Sequence, residues 1–228
     1  MFDNMKDSGK AWLYTVMVLL LAVGFSFIPG IVSAAYMMTP AIAALLMMLV
    51  FTKVGYRREG WKTIGLHKLG FRGWAFALSV PVIPLALSYL AAWGLGLSEW
   101  RCRTRCSAST GRLLRSCSYS SKAALANGFV HGIWHAPIIL NTSIYHDGEN
   151  VWILFPLMVL STMFLAPVIG RLRLRTGSVW TASTMHTTHN LVWAVLAELW
   201  VSQSEAAAYI SGDMSLIVVL FYAGLTLW

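Results

Sequence analysis

The sequence predicts an all-α protein, a polytopic bundle of transmembrane helices with about seven recognisable spans. The composition supports this prediction, because 57% of the 228 residues are hydrophobic and only 11% are charged, whereas a soluble domain carries about 25% charged residues. Apolar runs long enough to cross about 30 Å of hydrocarbon recur along nearly the whole chain. Because backbone groups in lipid must pair within their own segment, we expect these runs to be helices.

The apolar runs divide the chain into two parts. Residues 1–54 are predicted to form an N-terminal transmembrane hairpin, and residues 55–228 the core of the protein. The first run is longer than the apolar region of a signal peptide, so we interpret it as a retained span. The last run reaches Trp228 without a polar tail, which indicates a truncated C-terminus. The predicted spans are residues 11–32, 36–52, 73–96, 123–140, 151–170, 178–200 and 214–228.

The positive charge of the chain is interpreted as a signal for membrane orientation. The formal net charge of +8 is also compatible with nucleic-acid binding, but the lysines and arginines lie in short loops between the predicted spans. Cytoplasmic loops of membrane proteins carry such an excess. We therefore expect the lipid bilayer as a partner, no nucleic acid, an N-terminus on the inside, and a basic interfacial segment at residues 53–72.

Residues 98–121 disagree with this membrane topology. The charge pattern requires one more crossing between residues 97 and 122, yet the interval contains five arginines and all three cysteines of the protein. Inserting one arginine at the centre of a span costs about 2.5 to 3.5 kcal/mol, which excludes a span here. Two interpretations stay open: an out-of-frame stretch of coding sequence, or a genuine basic loop.

Two predicted helices carry paired polar side chains at membrane depth. His131 and His135 are four residues apart, as are His186 and Asn190. Each pair therefore lies on one face of its helix, with an axial rise of about 6 Å between its members. Polar and ionisable groups inside a membrane are costly and face the interior of a bundle, so the two helices together predict a functional site.

The motifs around these side chains resemble those of a known family. The stretch "HGIWHAP", followed about forty residues later by "RTGSVWTASTMHTTHN", is similar to the second and third motifs of the CPBP family of intramembrane proteases, which includes the CAAX prenyl endopeptidases and relatives linked to bacteriocin processing. The resemblance extends from about residue 55 to residue 200 and includes "WKTIGLHKLGFRGW", which is similar to the lead-in of bacterial members. It implies an integral protein of the bacterial cytoplasmic membrane.

The resemblance is incomplete in two places. His135 matches the histidine of the F-x-x-x-H motif, although His131 stands where the phenylalanine would be, and His186 and Asn190 match H-x-x-x-N. The first motif, E-E-x-x-x-R, which supplies the catalytic glutamate, is missing; "SEWRCR" has only Glu99 and Arg103 in a similar register. Its expected position coincides with the interval where the charge pattern requires another crossing.

The resemblance implies an endopeptidase that hydrolyses peptide bonds of membrane-associated or prenylated substrates. His135, His186 and Asn190 are then the catalytic residues: His135 activates the water, and His186 with Asn190 binds the oxyanion. His135 and His186 would also be the ligands of a divalent metal such as zinc if one is used, although H-E-x-x-H is absent. Without the glutamate, we expect a weak or inactive protease.

Two other classes of function remain open at this point. Histidines on two helices could clamp a haem iron, with one ligand from His131 or His135 and the other from His186 or His189. Alternatively, the polar residues could only hold the bundle together in a non-catalytic immunity or scaffold protein.

Overall fold

The structure is a computed structural model that describes residues 6–28, 33–100, 121–143, 145 and 149–227. Within these ranges the chain is overwhelmingly helical, so the predicted all-α helical fold is confirmed. Most of the block predicted to be anomalous, residues 101–120, lies outside the described residues. Trp228, on which the expectation of a truncated C-terminus depends, lies outside them as well.

The described residues group into two compact units. The first contains the residues up to His67 and the stretch Ile133–Val151, and the second contains Lys68–Gly132 and the residues from Trp152 onwards. Helix α6, Ser121–Asn141, therefore begins in the second unit and ends in the first. The division predicted from the sequence, at residues 54 and 55, stays a prediction.

The first unit contains the residues predicted to form the N-terminal hairpin, and in it α1 packs against α3. The second predicted span is not one regular helix, because α3 starts anew with Pro40 near its N-terminus and ends in a π-helical turn. Proline is well suited to the first helical turn, where its missing N–H needs no partner. The elements are α1 (Asp7–Ser26), α2 (Ser33–Met37), α3 (Thr39–Leu46), the π turn Met47–Phe51, the 3-10 turn Val54–Tyr56 and α4 (Arg58–Thr63).

The second unit contains the remaining elements, and in it α5 packs extensively against α8. Leu85, Met185, Val218 and Tyr222 are fully buried in its core and come from α5, α8 and α10. The elements are the 3-10 turn Phe71–Gly73, α5 (Trp74–Gly94), β1 (Ser98–Trp100), α7 (Val151–Thr176), α8 (Val179–Leu199), β2 (Trp200–Ser202), α9 (Glu205–Ile210) and α10 (Leu216–Leu227).

Four helices within the described ranges are long and apolar enough to cross a membrane: Asp7–Ser26, Phe71–Gly94, Lys122–Asn141 and Val151–Thr176. The stretches Ala35–Phe51 and Leu216–Leu227 are apolar but shorter. Helix α8 has the length of a span, but the polar side chains of its motif lower its mean hydropathy. The chain is therefore an integral membrane protein, and seven spans is an approximate count.

A short antiparallel pair of strands links the chain just after α5 to the chain just after α8. The sequence did not predict this pair. Ser98 pairs with Ser202 and Trp100 with Trp200. The Trp200 indole N–H donates to the Ser98 hydroxyl, and its ring lies 5.2 Å from the ring of Tyr89. Glu99, between the paired ends, is exposed.

Candidate functional site

The start of α8 is held by a cluster of hydroxyl groups in the "RTGSVW" stretch. Ser178 caps the helix by accepting a hydrogen bond from the Trp180 N–H at 3.1 Å, and the Thr176 and Thr181 hydroxyls lie 2.8 Å apart. Gly70 packs directly against this turn, because a Cβ added there would lie 2.7 Å from the Ser178 Cβ. The cap satisfies a backbone donor that would otherwise lack a partner, and it sets the register of the motif helix.

The motif pair on α8 is in contact, as its spacing predicts. The Asn190 Nδ2 lies 3.3 Å from the His186 Nε2, and both side chains are partly buried. In this arrangement the asparagine amide can donate to a ring nitrogen that carries no proton. The amide has a second N–H, which is the kind of donor that an oxyanion requires.

His131 lies beside His186 in the same unit. The ring centroids are 5.5 Å apart and the planes meet at 85°. His131 is thus a neighbour of the motif pair, although it occupies the position where the resemblance calls for phenylalanine. Both rings can contribute polar edges to one small region between α6 and α8.

Two glycines on α6 allow the helix backbone to approach α7 closely. A Cβ added at Gly128 would lie 2.5 Å from the Thr162 carbonyl oxygen, and one at Gly132 would lie 2.7 Å from the Val159 Cα. This spacing is a small-xxx-small motif, which permits close helix packing in membranes. The glycines lie on either side of His131 in the sequence, so the close packing of α6 against α7 also fixes the position of His131.

His135 is placed in the first unit and is buried, with 6% of its surface exposed. Its ring packs edge-on against Trp134 at 4.5 Å and against Tyr145 at 5.8 Å. Trp134 is held in turn by Thr39, whose hydroxyl accepts a hydrogen bond from the indole N–H at 2.9 Å. The imidazole of His135 therefore sits in a rigid aromatic environment.

His189, predicted to be only a neighbour of the site, has a specific buried partner. Its Nδ1 lies 3.0 Å from the hydroxyl of Tyr222 on α10. Tyr222 is completely buried. This contact joins two helices that are far apart in sequence, so the helical spacing of the motif could not predict it.

Asp213 is a buried acid that the sequence analysis did not consider. It lies in the turn between α9 and α10 with 8% of its surface exposed, and burial raises the pKa of its carboxyl to about 7. The sequence contained one signal for this buried acid: an aspartate, in "SGDMS", directly before an apolar run. Glu59, Glu99 and Glu198, by contrast, are exposed.

Nothing in the described ranges of the chain forms a group of three histidine, cysteine, aspartate or glutamate side chains that could hold a metal ion. The proposed metal ligands lie in different units, His135 in the first and His186 in the second. Zinc sites use three or four protein ligands.

Comparison with known proteins gives one family match. The family described as "Type II CAAX prenyl endopeptidase Rce1-like" matches residues 68–192, which include the predicted site residues on α6 and α8. No curated protein and no solved structure matches the chain.

Proposed function

The chain belongs to the type II CAAX prenyl endopeptidase Rce1-like family, and we propose that it derives from an intramembrane endopeptidase that cleaves membrane-associated or prenylated peptides. The contact between His186 and Asn190 carries this proposal, since the two polar groups lie 3.3 Å apart on a helix within the matched region. Polar side chains within a membrane protein's bundle cost free energy, so their retention favours a functional role.

The proposed chemistry is attack of water on the peptide carbonyl. His135 takes part in activating the water, and the substrate carbonyl becomes a tetrahedral oxyanion. His186 and Asn190 supply hydrogen-bond donors to that oxyanion, which in a site shielded from water is a large contribution to catalysis. The leaving amine takes up a proton as the carbon–nitrogen bond breaks.

The missing glutamate limits this activity. General-base catalysis contributes about 10² to 10⁴ in rate. The chain contains no E-E-x-x-x-R motif, and Glu99, the nearest match, is exposed on β1. We therefore propose that the chain as written is a weak or inactive member, and that an intact first motif restores activity.

Two other proposals have less support. Zinc bound by His135 and His186 stays a prediction, which metal analysis of the purified protein tests. Haem binding between a histidine of α6 and a histidine of α8 also stays a prediction. A Soret band in the purified protein would support it, and a colourless preparation would count against it.

The first experiment is to sequence the gene across codons 95 to 125 and to translate all three frames. A frame that yields an apolar helix with E-E-x-x-x-R identifies the block at 98–121 as damage. An in-frame block, confirmed in the expressed protein, identifies a non-catalytic relative.

The activity assay uses membranes from a host that lacks related proteases and a fluorogenic prenylated peptide. The chain carrying a restored first-motif helix is compared with its His186→Ala and Asn190→Ala variants, each of which should lose about 10² to 10³ in kcat. His67→Ala is the matched control, because His67 is exposed outside the motifs. Cleavage that survives His186→Ala contradicts the proposal.

A further inference from the structure

Two basic stretches of the second unit meet at one end of its helices. The turn Phe71–Gly73 at the start of α5 packs against the turn between α7 and α8, because a Cβ added at Gly73 would lie 2.6 Å from the Thr176 Cγ2. Lys68 reaches the same turn, since a Cβ added at Gly177 would lie 3.4 Å from the Lys68 Nζ. Two segments that are far apart in the sequence therefore form one continuous surface.

This surface is positively charged, and neither stretch carries an acid that would balance it. Lys68 and Arg72 come from the first stretch and Arg175 from the last turn of α7, and all three side chains are exposed. Residues 60–98 and 150–197 contain no aspartate or glutamate. We call these three side chains the basic surface.

The acids of the second unit lie at the opposite end of the same helices. Helices α5 and α8 both begin at the basic surface and both end at the paired strands β1 and β2. Over the 21 residues of α5, a rise of about 1.5 Å per residue separates the two ends by about 30 Å, the thickness of a hydrocarbon core. The acids at the strand end are Glu99, Glu198, Glu205 and Asp213. The two ends of the unit therefore carry charges of opposite sign.

Exposed apolar side chains accompany the basic surface. Leu69, Phe71 and Leu174 expose 49%, 70% and 54% of their surfaces. Phe71 is held beside Trp74, with 5.8 Å between the ring centroids, and the Trp74 indole N–H donates to the Leu69 carbonyl at 2.9 Å. Basic side chains next to aromatic and aliphatic ones are typical of the interface between hydrocarbon and lipid head groups.

A lipid fits this surface better than a soluble polyanion does. The stretch Phe71–Gly94 is apolar and long enough to cross a membrane, and it starts at the basic surface, which places that surface at the depth of the head groups. A nucleic acid or an acidic peptide would pair with the charges but would leave Phe71 and Leu174 exposed to water. The partner that matches both features is an anion with attached acyl chains.

We propose that the basic surface binds the phosphate head group of an anionic phospholipid, whose acyl chains lie against the neighbouring apolar side chains. The guanidinium groups of Arg72 and Arg175 can each give two N–H donors to phosphate oxygens, and Lys68 supplies a compact positive charge. Basic pockets beside transmembrane helices recognise anionic head groups in this way. Because the lipid contacts both stretches, it also holds together the two turns from which α5 and α8 start.

The test is native mass spectrometry of the full chain in a nonionic detergent, with equal amounts of phosphatidylglycerol and phosphatidylcholine that have the same acyl chains. The two lipids differ in their head groups, so the ratio of bound phosphatidylglycerol to bound phosphatidylcholine reports head-group recognition. The wild type should retain phosphatidylglycerol in preference. Each basic side chain near an anionic surface contributes about fivefold, so Lys68→Gln/Arg72→Gln/Arg175→Gln should lower the ratio by on the order of 10².

The matched control is Lys53→Gln/Arg57→Gln/Arg58→Gln, which removes the same charge from exposed side chains of the first unit. Its lipid ratio should stay close to that of the wild type. Equal losses in the two triple variants overturn the proposal, because the preference would then follow the net charge of the protein. A wild-type ratio near one overturns it as well.

Competitors identify the source of the bound anion. Inorganic phosphate and hexaglutamate, each at the concentration of the lipid, should leave phosphatidylglycerol bound, and displacement by either one overturns the assignment to a lipid. If the triple variant does not fold, Lys68→Gln and Arg175→Gln are measured singly, and each should lower the ratio by about fivefold. An unchanged ratio in both single variants contradicts the proposal. None of these readouts requires cleavage, so an inactive chain contradicts the proposed function without affecting the result.

Discussion

Replacing Asp213 with asparagine should change how the stability of the protein depends on pH. The substitution keeps the size of the side chain but removes its ability to ionise. In the folded protein the pKa of Asp213 is raised by burial from 3.8 to about 7. A folded state that keeps its proton longer than the unfolded state loses stability as the pH rises between these two values.

The size of the effect follows from the interval between the two pKa values. At about 1.4 kcal/mol for each pH unit, the interval from 3.8 to about 7 corresponds to roughly 4 kcal/mol. The loss is absent below 3.8 and complete above about 7, because both states then have the same protonation. The Asp213→Asn variant does not undergo this loss, so its stability relative to the wild type should rise by that amount between acid and mildly basic pH.

The assay is thermal unfolding of the full chain in detergent micelles at a series of pH values. The difference in Tm between Asp213→Asn and wild type should grow by on the order of 10 °C from about pH 4 to about pH 8. Asp7→Asn is the control, because Asp7 is exposed and meets water in both states. A difference that is the same at every pH would refute the reasoning from burial.

Two further predictions concern helix packing. Gly128→Ala should destabilise the protein by about 1 to 3 kcal/mol, because the added Cβ meets the α7 backbone at 2.5 Å. The control is Gly94→Ala, which has no atom within 4 Å of its added Cβ and should be neutral or slightly stabilising in the same unfolding assay. Equal effects of the two substitutions would contradict the packing argument. Arg171→Gln should loosen the end of α10, because the guanidinium donates to the carbonyls of Leu225 at 2.9 Å and Thr226 at 2.6 Å. We expect a loss of about 1.5 to 3 kcal/mol and faster hydrogen exchange in α10, whereas unchanged exchange there would refute this role.

The missing first motif is the feature of the sequence that bears most directly on activity. The charge pattern requires a crossing where the chain has arginines, and the same interval lacks E-E-x-x-x-R. Both observations come from simple rules, namely the cost of charge in hydrocarbon and the spacing of a motif. They direct the first experiment to the gene rather than to the protein.

The sequence by itself determined the features that depend on local spacing. The apolar runs gave the helices, because hydrocarbon leaves helical pairing as the solution for the backbone. The contact of His186 with Asn190 was predictable, because residues four apart meet on any α-helix. The resemblance of this helix to the family was also visible in the sequence, because both residues belong to one short motif.

Only the tertiary structure decided which distant groups meet. The neighbourhood of His131 and His186, the bond between His189 and Tyr222, and the burial of Asp213 each depend on how separate elements pack. Sequence spacing carries no information on such contacts, since the side chains come from elements tens of residues apart. The pKa of Asp213 is the clearest case, because an aspartate in a turn is ordinarily solvated, and only the packing of α5, α7 and α10 around it removes the water.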